Sequence, residues 1–422
     1  MTAPAWRPGS GSRPAPAAPG VRVVLDARPL QDPERAPLTA TYLRALLAAL
    51  DADPQPGESF AFLLAAGRDD PTEQWTRLRV VGRRMLPPTR LLRSGSLTVD
   101  PFLLRTASTG AGWRAERSGA AGSVYHATAG ALPIASGIPV VAALLDLAPW
   151  TLADDYQRGP AARFGQRLRA RILRDASVVL VPSSAAGLEA RRLLRVRQAR
   201  LQVVPLAPRD AFRPEAAHGA DGERTRLGLG SRYAVFAGRH DARQDLPTLL
   251  AALSALAGEA APAGVPAGEW PPRICLVGAS PDDRAAISLD AARAGVGELL
   301  AYAQNLPDDR LAALVAGARV LVQVVRSDAT GLAALEAIAT GVPVIASNVG
   351  ALPEVVGRAG ILVEPGDPAR LAVALRAAWG DQLYPTLVAA TTERARAHRT
   401  WADVARDTRQ VWAAAAARAP LL

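Results

Sequence analysis

Apolar and polar positions alternate in two rhythms along this chain. Short, nearly continuous apolar runs give way to longer stretches in which apolar residues recur every three or four positions. The run V-R-V-V-L-D at 21–26 predicts a strand, the strongly apolar 38–50 a helix, and 60–64 and 78–81 two further strands. The stretch 87–119 has no readable period. Residues 123–126, 138–145, 177–182 and 201–204 read as strands again. Between them 163–174 has helical spacing, with Phe164, Leu168 and Ile172 every four residues, and Ser183-Ser184 can cap the next helix. A Pro-, Gly- and charge-rich stretch, 208–231, reads as a linker. A second alternation follows: strands at 233–237, 274–278 and 320–325, helices at 246–256 and 308–316, and a Pro/Gly/Ala loop at 260–272. A last helix is predicted at 401–417. Strands alternating with helices predict parallel sheets with helices on both faces, here twice over. Two such halves imply a cleft beyond the carboxyl ends of the strands.

The segment 327–347, S-D-A-T-G-L-A-A-L-E-A-I-A-T-G-V-P-V-I-A-S, carries the most chemical information. A strand leads into a Gly-containing turn, an Ala/Leu-rich helix follows, and Thr340-Gly341 ends it before the next strand. The first N–H groups of a helix lack internal partners and favour negative charge, so the backbone of Thr330, Gly331 and Leu332 can meet a phosphate. Two acids flank the turn. Asp328 would accept hydrogen bonds from sugar hydroxyls or else cap the helix. Glu336, a carboxylate inside an apolar helix, needs a partner, which a ribose or a nearby Arg would supply.

Composition narrows the class. At 422 residues the chain is long enough for two or three domains, and no apolar run approaches a membrane span. Residues 1–20 lack an apolar core and read as a disordered tail rather than a signal peptide. The single cysteine, Cys275, lies in an apolar run; it cannot build a disulfide or metal cluster, and a cytoplasmic location follows as the expectation. Net charge is +10, and all 49 basic residues are Arg. Aromatic residues are 5% and do not interleave with the Arg clusters, which argues against nucleic acid. Arg158, Arg163, Arg167, Arg169, Arg171 and Arg174 with Phe164, Leu168 and Ile172 would form a basic amphipathic face. Such a face would suit an anionic bilayer, at the inner face of a membrane; the other reading is a solvated or phosphate-facing surface.

The order and spacing of several motifs resemble the "group 1", family 4-like retaining glycosyltransferases. These motifs include R-V-V-L-D-A-R-P-L near the start, A-S-V-V-L-V-P-S-S at 176–184, F-A-G-R-H-D-A-R-Q-D-L at 236–246, the 327–347 segment and G-A-L-P-E-V-V-G-R-A-G-I-L-V-E-P-G-D at 350–367. The resemblance covers most of the chain past residue 20. It implies the GT-B fold: an acceptor domain over 21–207, the linker 208–231, a donor-binding domain over 232–395, and 396–422 packing back on the first domain. It implies a nucleotide sugar as donor, an acceptor it does not identify, no metal, no separate cofactor, retention at the anomeric carbon, and a setting such as cell-envelope polysaccharide synthesis.

By the same resemblance, Arg239 and Asp328 are the catalytic candidates. Arg239, Arg243, Gln244, Thr330, Gly331, Leu332 and Glu336 would bind the donor. Arg239 would meet the donor diphosphate, or else be an exposed Arg; fixed cations there stabilise the departing charge. Arg243 would point about 100° away from that site if its segment is helical. His126, at a strand end, and Asp146 are possible cleft residues; a structural role is the other reading of His126. Four positions depart from the family pattern. The loop after the first strand has no Gly, Leu145 replaces a His, Gln244 replaces a Lys, and Asp328 replaces a Glu. The alternative expectation is therefore a catalytically inactive relative acting as partner or scaffold.

Overall fold

A computed structural model of the chain describes residues 20–87, 99–108, 122–128, 132–237, 241–304 and 306–417. It has two parallel sheets. The first contains β1 (Val21–Asp26), β2 (Ser59–Ala65), β3 (Val80–Leu86), β4 (Gly122–Ala127), β5 (Val140–Ala143), β6 (Val178–Val181) and β7 (Leu201–Val203), in the order β3-β2-β1-β4-β5-β6-β7. The second contains β8 (Ala234–Ala237), β9 (Ile274–Val277), β10 (Leu300–Ala303), β11 (Val320–Gln323), β12 (Val344–Ser347) and β13 (Gly360–Val363), in the order β10-β9-β8-β11-β12-β13. Each order runs outward from a first strand and then reverses, which opens a crevice at the switch point. All seven residues of β2 are buried, as expected of a strand covered on both faces.

The last helix, Trp401–Ala417, returns to the first sheet. Its Trp401, Val404, Val411 and Trp412 join the core made by Val23, Leu25, Phe60 and the helix Pro37–Ala52. Two contacts fix it, and a third braces the histidine in one of them. Arg409 pairs with buried Glu58 at 3.1 Å. The Trp412 indole N–H donates to His126 Nδ1 at 3.2 Å, and His126 Nε2 lies 3.3 Å from the Tyr42 hydroxyl. An indole only donates, so Nδ1 is the acceptor and Nε2 carries the proton.

The segment 208–231 is more than a linker. Phe212 and Leu229 are buried in the second core, and the helix Ala220–Arg226 packs on the helix Asp308–Ala316. Buried Glu223 holds Arg310 at 2.8 Å and also pairs with Arg226. Pro, Gly and charge disguised a folded surface segment. The expected tail 1–20 lies outside the described residues except for Gly20, and most of the unassigned stretch 87–119 does too.

The expected basic amphipathic face is corrected in composition. Within the helix Pro160–Asp175, Ile172 is buried and Leu168 packs against the first sheet. Arg169 turns inward over the Trp150 ring, 4.8 Å from its centroid, and Arg158 lies 3.2 Å from Asp155. Phe164 alone of the apolar trio faces outward. Eight residues advance a helix by about 80° beyond whole turns, so Phe164 sits at the solvent edge of the stripe that Ile172 buries.

Candidate functional site

Between the two sheets lies a cavity of about 720 Å3, lined by residues of both domains. Its second-domain wall is the strand–turn–helix at 320–339. β11 ends at Gln323, the chain turns, and the helix Leu332–Ala339 begins after Gly331. Gly331 has φ +62°, and a Cβ there would come within 2.9 Å of Val355, so the turn requires glycine. Asp328 closes this turn from inside. Its Oδ1 accepts from the backbone N–H groups of Thr330 and Gly331, both at 2.8 Å, and its Oδ2 accepts from the Gln323 amide at 2.5 Å. Leu332 N–H in turn bonds the Thr330 hydroxyl at 3.3 Å. The three amides expected to meet phosphate are thus engaged within the turn. Burial raises the Asp328 carboxyl above its ordinary range, and the bonds from Gly331 and Thr330 hold it back.

Glu336 is buried and has a partner that sequence reasoning missed. Arg209 grips it with two bonds, Nε to Oε1 at 2.5 Å and Nη2 to Oε2 at 2.8 Å. The remaining Arg209 nitrogen reaches Asp308 at 2.6 Å, and the guanidinium lies 4.6 Å from the Phe212 ring centroid. Burial pushes the Glu336 carboxyl up and Arg209 pulls it down. The Arg209 guanidinium stays charged, because its two acids outweigh its own burial. The only signal for Arg209 was its place in the P-L-A-P-R-D stretch, which composition marked as a connector.

Arg243 is turned into the cleft. The segment 241–244 is a turn, not a helix, and the Arg243 backbone carbonyl accepts from Arg326 N–H at 2.7 Å. The guanidinium pairs with Asp241 at 2.8 Å and reaches across the domain boundary to Asp146 at 3.1 Å. Asp146 also accepts from Ala148 N–H at 2.9 Å, at the start of the short helix Ala148–Thr151. Gln244 forms an isolated bridge with Val325. Arg239 lies outside the described residues. His126 is not a cleft residue: it is fully buried beneath the terminal helix, and burial lowers its pKa to about 3.

The two domains also meet around the turn. Thr151 and Ser327 hydroxyls lie 2.9 Å apart, and Ser183 Oγ donates to the Ala329 carbonyl at 3.1 Å. Glu354 accepts from Ala185 N–H at 2.6 Å and Ser184 N–H at 3.1 Å, at the start of the helix Ser184–Leu194. Arg326 reaches Asp155 at 3.0 Å.

Among the described residues, five carboxylates (Glu34, Asp146, Asp241, Asp328, Glu336) and three guanidinium groups (Arg44, Arg209, Arg243) line the cavity. Two of the three cations are held by acids. Gln244 and Gln323 both line it too, and each has a buried side-chain oxygen with no hydrogen bond among the described residues. Such acceptors need a donor.

Residues 231–381 match the glycosyl transferases group 1 family. They form a group 1 glycosyl transferase domain. A D-inositol 3-phosphate glycosyltransferase of Streptomyces scabiei is 33% identical over 296 residues, covering 66% of this chain and 63% of the relative. The chain therefore spans less than two thirds of that relative's length. Among solved structures, the sucrose-phosphate synthase of Thermosynechococcus elongatus aligns with a TM-score of 0.68 at 21% identity, covering 93% of this chain and 98% of that one. HepE of Anabaena, solved in complex with UDP-glucose, aligns with a TM-score of 0.63 at 15% identity, covering 93% and 99%. These structures share with the chain the GT-B architecture of two Rossmann-like domains. The glycosyl transferase domain thus includes the Asp328 turn, Glu336, Arg243 and Gln244. Arg209 and Asp146 come from outside it.

Proposed function

We propose that this protein transfers a sugar from a nucleotide-sugar donor to an acceptor, with retention at the anomeric carbon. The observation that carries the reading is the polar lining of the second-domain wall. Two buried amide oxygens, those of Gln244 and Gln323, lack partners among the described residues, in the cavity that Asp328 also lines. Sugar hydroxyls are donors of the right kind, and each would satisfy a group that is costly to leave unpaired. Supporting it are the group 1 glycosyl transferase domain and the UDP-glucose complex of a protein with the same fold.

In this reading Arg239 meets the diphosphate, Asp328 with Gln323 holds the sugar, and Gln244 lies between the two, where its oxygen takes a sugar hydroxyl and a longer cation would reach the diphosphate. Glu336, with Arg209, faces the nucleoside. Position and fixed dipoles supply the rate. The acceptor enters from the first-domain wall, where Arg44 has no carboxylate partner among the described residues. The test is a panel of nucleotide sugars read by calorimetry and by release of nucleoside diphosphate. The anomeric configuration of the product, read by NMR, tests retention. Binding with turnover is expected; an inverted product removes the retaining mechanism, and no binding to any donor removes the reading.

A second reading, an inactive partner or scaffold, draws on one observation: Arg209 and Arg243 are already held by acids, and Gln244 is uncharged. Donor binding without turnover, with every acceptor tried, would favour it.

A further inference from the structure

The chain's positive charge is gathered on one surface away from the cleft. Residues 160–197 contain nine arginines and two carboxylates, Asp175 and Glu189, and so carry +7 of the net +10. The helices Pro160–Asp175 and Ser184–Leu194 pack side by side over the same core, and they hold it with Ile172, Leu173, Ala186, Ala190 and Leu194. Their opposite faces point to solvent. On the first, Arg163, Arg167, Arg171 and Arg174 follow one another at three- and four-residue spacing and are all exposed. On the second, exposed Arg191 and Arg192 lead into exposed Arg195 and Arg197. No salt bridge joins any of these eight to a carboxylate among the described residues, and none of them lines the cleft. Two large apolar side chains stand out of the same faces: Phe164 is 57% exposed and Leu188 63%. Beside Arg171 opens a recess of about 460 Å3 walled in part by Ile134, Ile138 and Leu168.

We infer that this two-helix face docks the protein on an anionic lipid bilayer. The charges alone fit any polyanion. The apolar groups decide among them: a bilayer interface takes Phe and Leu side chains into the boundary between headgroups and chains, while arginines stay at the headgroup level. A nucleic-acid surface has stacking platforms and grooves of cation, and an outward Leu188 serves neither. The face is also broad, spanning two helices, which suits a plane. This inference is independent of the donor chemistry, since no residue of the face lines the cleft.

The experiment is co-sedimentation of the full chain with vesicles, once of phosphatidylcholine alone and once with 30% phosphatidylglycerol (about a third anionic lipid, the range in which basic segments respond). Binding is expected only with the anionic lipid and should disappear as salt shortens the screening length. Each arginine near such a surface contributes about 1 kcal/mol, roughly fivefold in partitioning, so the variant Arg163→Gln/Arg167→Gln/Arg171→Gln/Arg174→Gln should lose two to three powers of ten. Phe164→Ser/Leu188→Ser should lower partitioning further at moderate salt, and the melting temperature of each variant reports its fold. Equal binding to both vesicle types overturns the inference, as does an unchanged quadruple variant. Binding to a DNA duplex with none to anionic vesicles would also overturn it, in favour of a nucleic-acid surface.

Discussion

Across the cleft, the second domain presents buried polar groups with fixed directions, while the first presents prolines, Leu38 and Leu145 with a few exposed charges. Gln323, Thr330 and Glu336 are almost inaccessible in the cleft wall, and the atoms around Asp328 leave it few ways to move. On the facing wall Pro33, Pro37, Leu38 and Leu145 line the cavity beside exposed Glu34 and Arg44, and Asp146 pairs across the gap. The frames are the same doubly wound sheet. The difference is in how much of each wall's function is also its stability. A buried polar group must be satisfied in the folded state, so the second wall cannot change one residue without disturbing its neighbours. The first wall leaves its polar groups near water and can vary at little cost, which suits the side on which acceptors would differ.

The strongest way to break this contrast is to cut the Arg209–Glu336 pair. Arg209→Ala leaves a carboxylate buried without its cation and should cost about 3–5 kcal/mol of stability, read by urea unfolding. Glu336→Gln in the same chain should return most of it. A loss below about 1 kcal/mol would mean that the second wall is no more tightly bound than a surface pair.

Next comes charge. If the second wall lacks one cation for a diphosphate, Gln244→Lys should raise nucleotide-sugar affinity or turnover by about one to two powers of ten, the roughly 1.5–3 kcal/mol of a charge-assisted contact. Arg239→Ala should abolish both. Unchanged donor binding in Arg239→Ala would move the balance to the scaffold reading.

The foundation of the first wall can be probed by pH. His126 is neutral in the fold with a pKa near 3, whereas the unfolded chain takes up its proton below about 6.5. The unfolded state then binds more protons, so stability falls as pH drops through 6.5, by about 2 kcal/mol between pH 7 and pH 5. His126→Gln should remove that part of the slope in thermal melts. An identical slope would show that other groups set it.

The smallest effect is expected at the bridge between the walls. Asp146 and Arg243 are each about one third exposed, at 35% and 29%, so Asp146→Asn should cost no more than about 1 kcal/mol. Its effect should appear as a larger radius of gyration in small-angle scattering, as the cleft opens. A compact Asp146→Asn protein would assign closure to Glu354 and the Ser183–Ala329 bond instead.

Much of the frame is legible in the sequence alone. Runs such as V-R-V-V-L-D and V-V-L-V are strands because a parallel sheet buried on both faces needs continuous apolar residues. Gly331 was legible as a residue of the turn, but its positive φ and the crowding by Val355 that makes glycine necessary there were not. Asp328 was legible as a member of the turn, though its two roles, cap and sugar contact, could not be separated. The partner of Glu336 was not legible: Arg209 is 127 residues away in sequence. Nor was the inward turn of Arg243, since a helix was assumed where the chain bends. The folding of 208–231 was hidden because its few apolar anchors, Phe212 and Leu229, are scattered among polar residues.

By itself the sequence determined periodicity, and with it two doubly wound domains, the turn at 328–331 and the sites where buried acids would need partners. Those follow from local sterics and from apolar surface leaving water, which act over a few residues at a time. Only the tertiary structure decided which partners met: Arg209 with Glu336, Arg243 with Asp146, Trp412 with His126. It also decided that two separate arginine helices share one outward face. Pairing across more than a hundred residues depends on how the sheets stack and where the last helix returns, and no local pattern encodes that geometry.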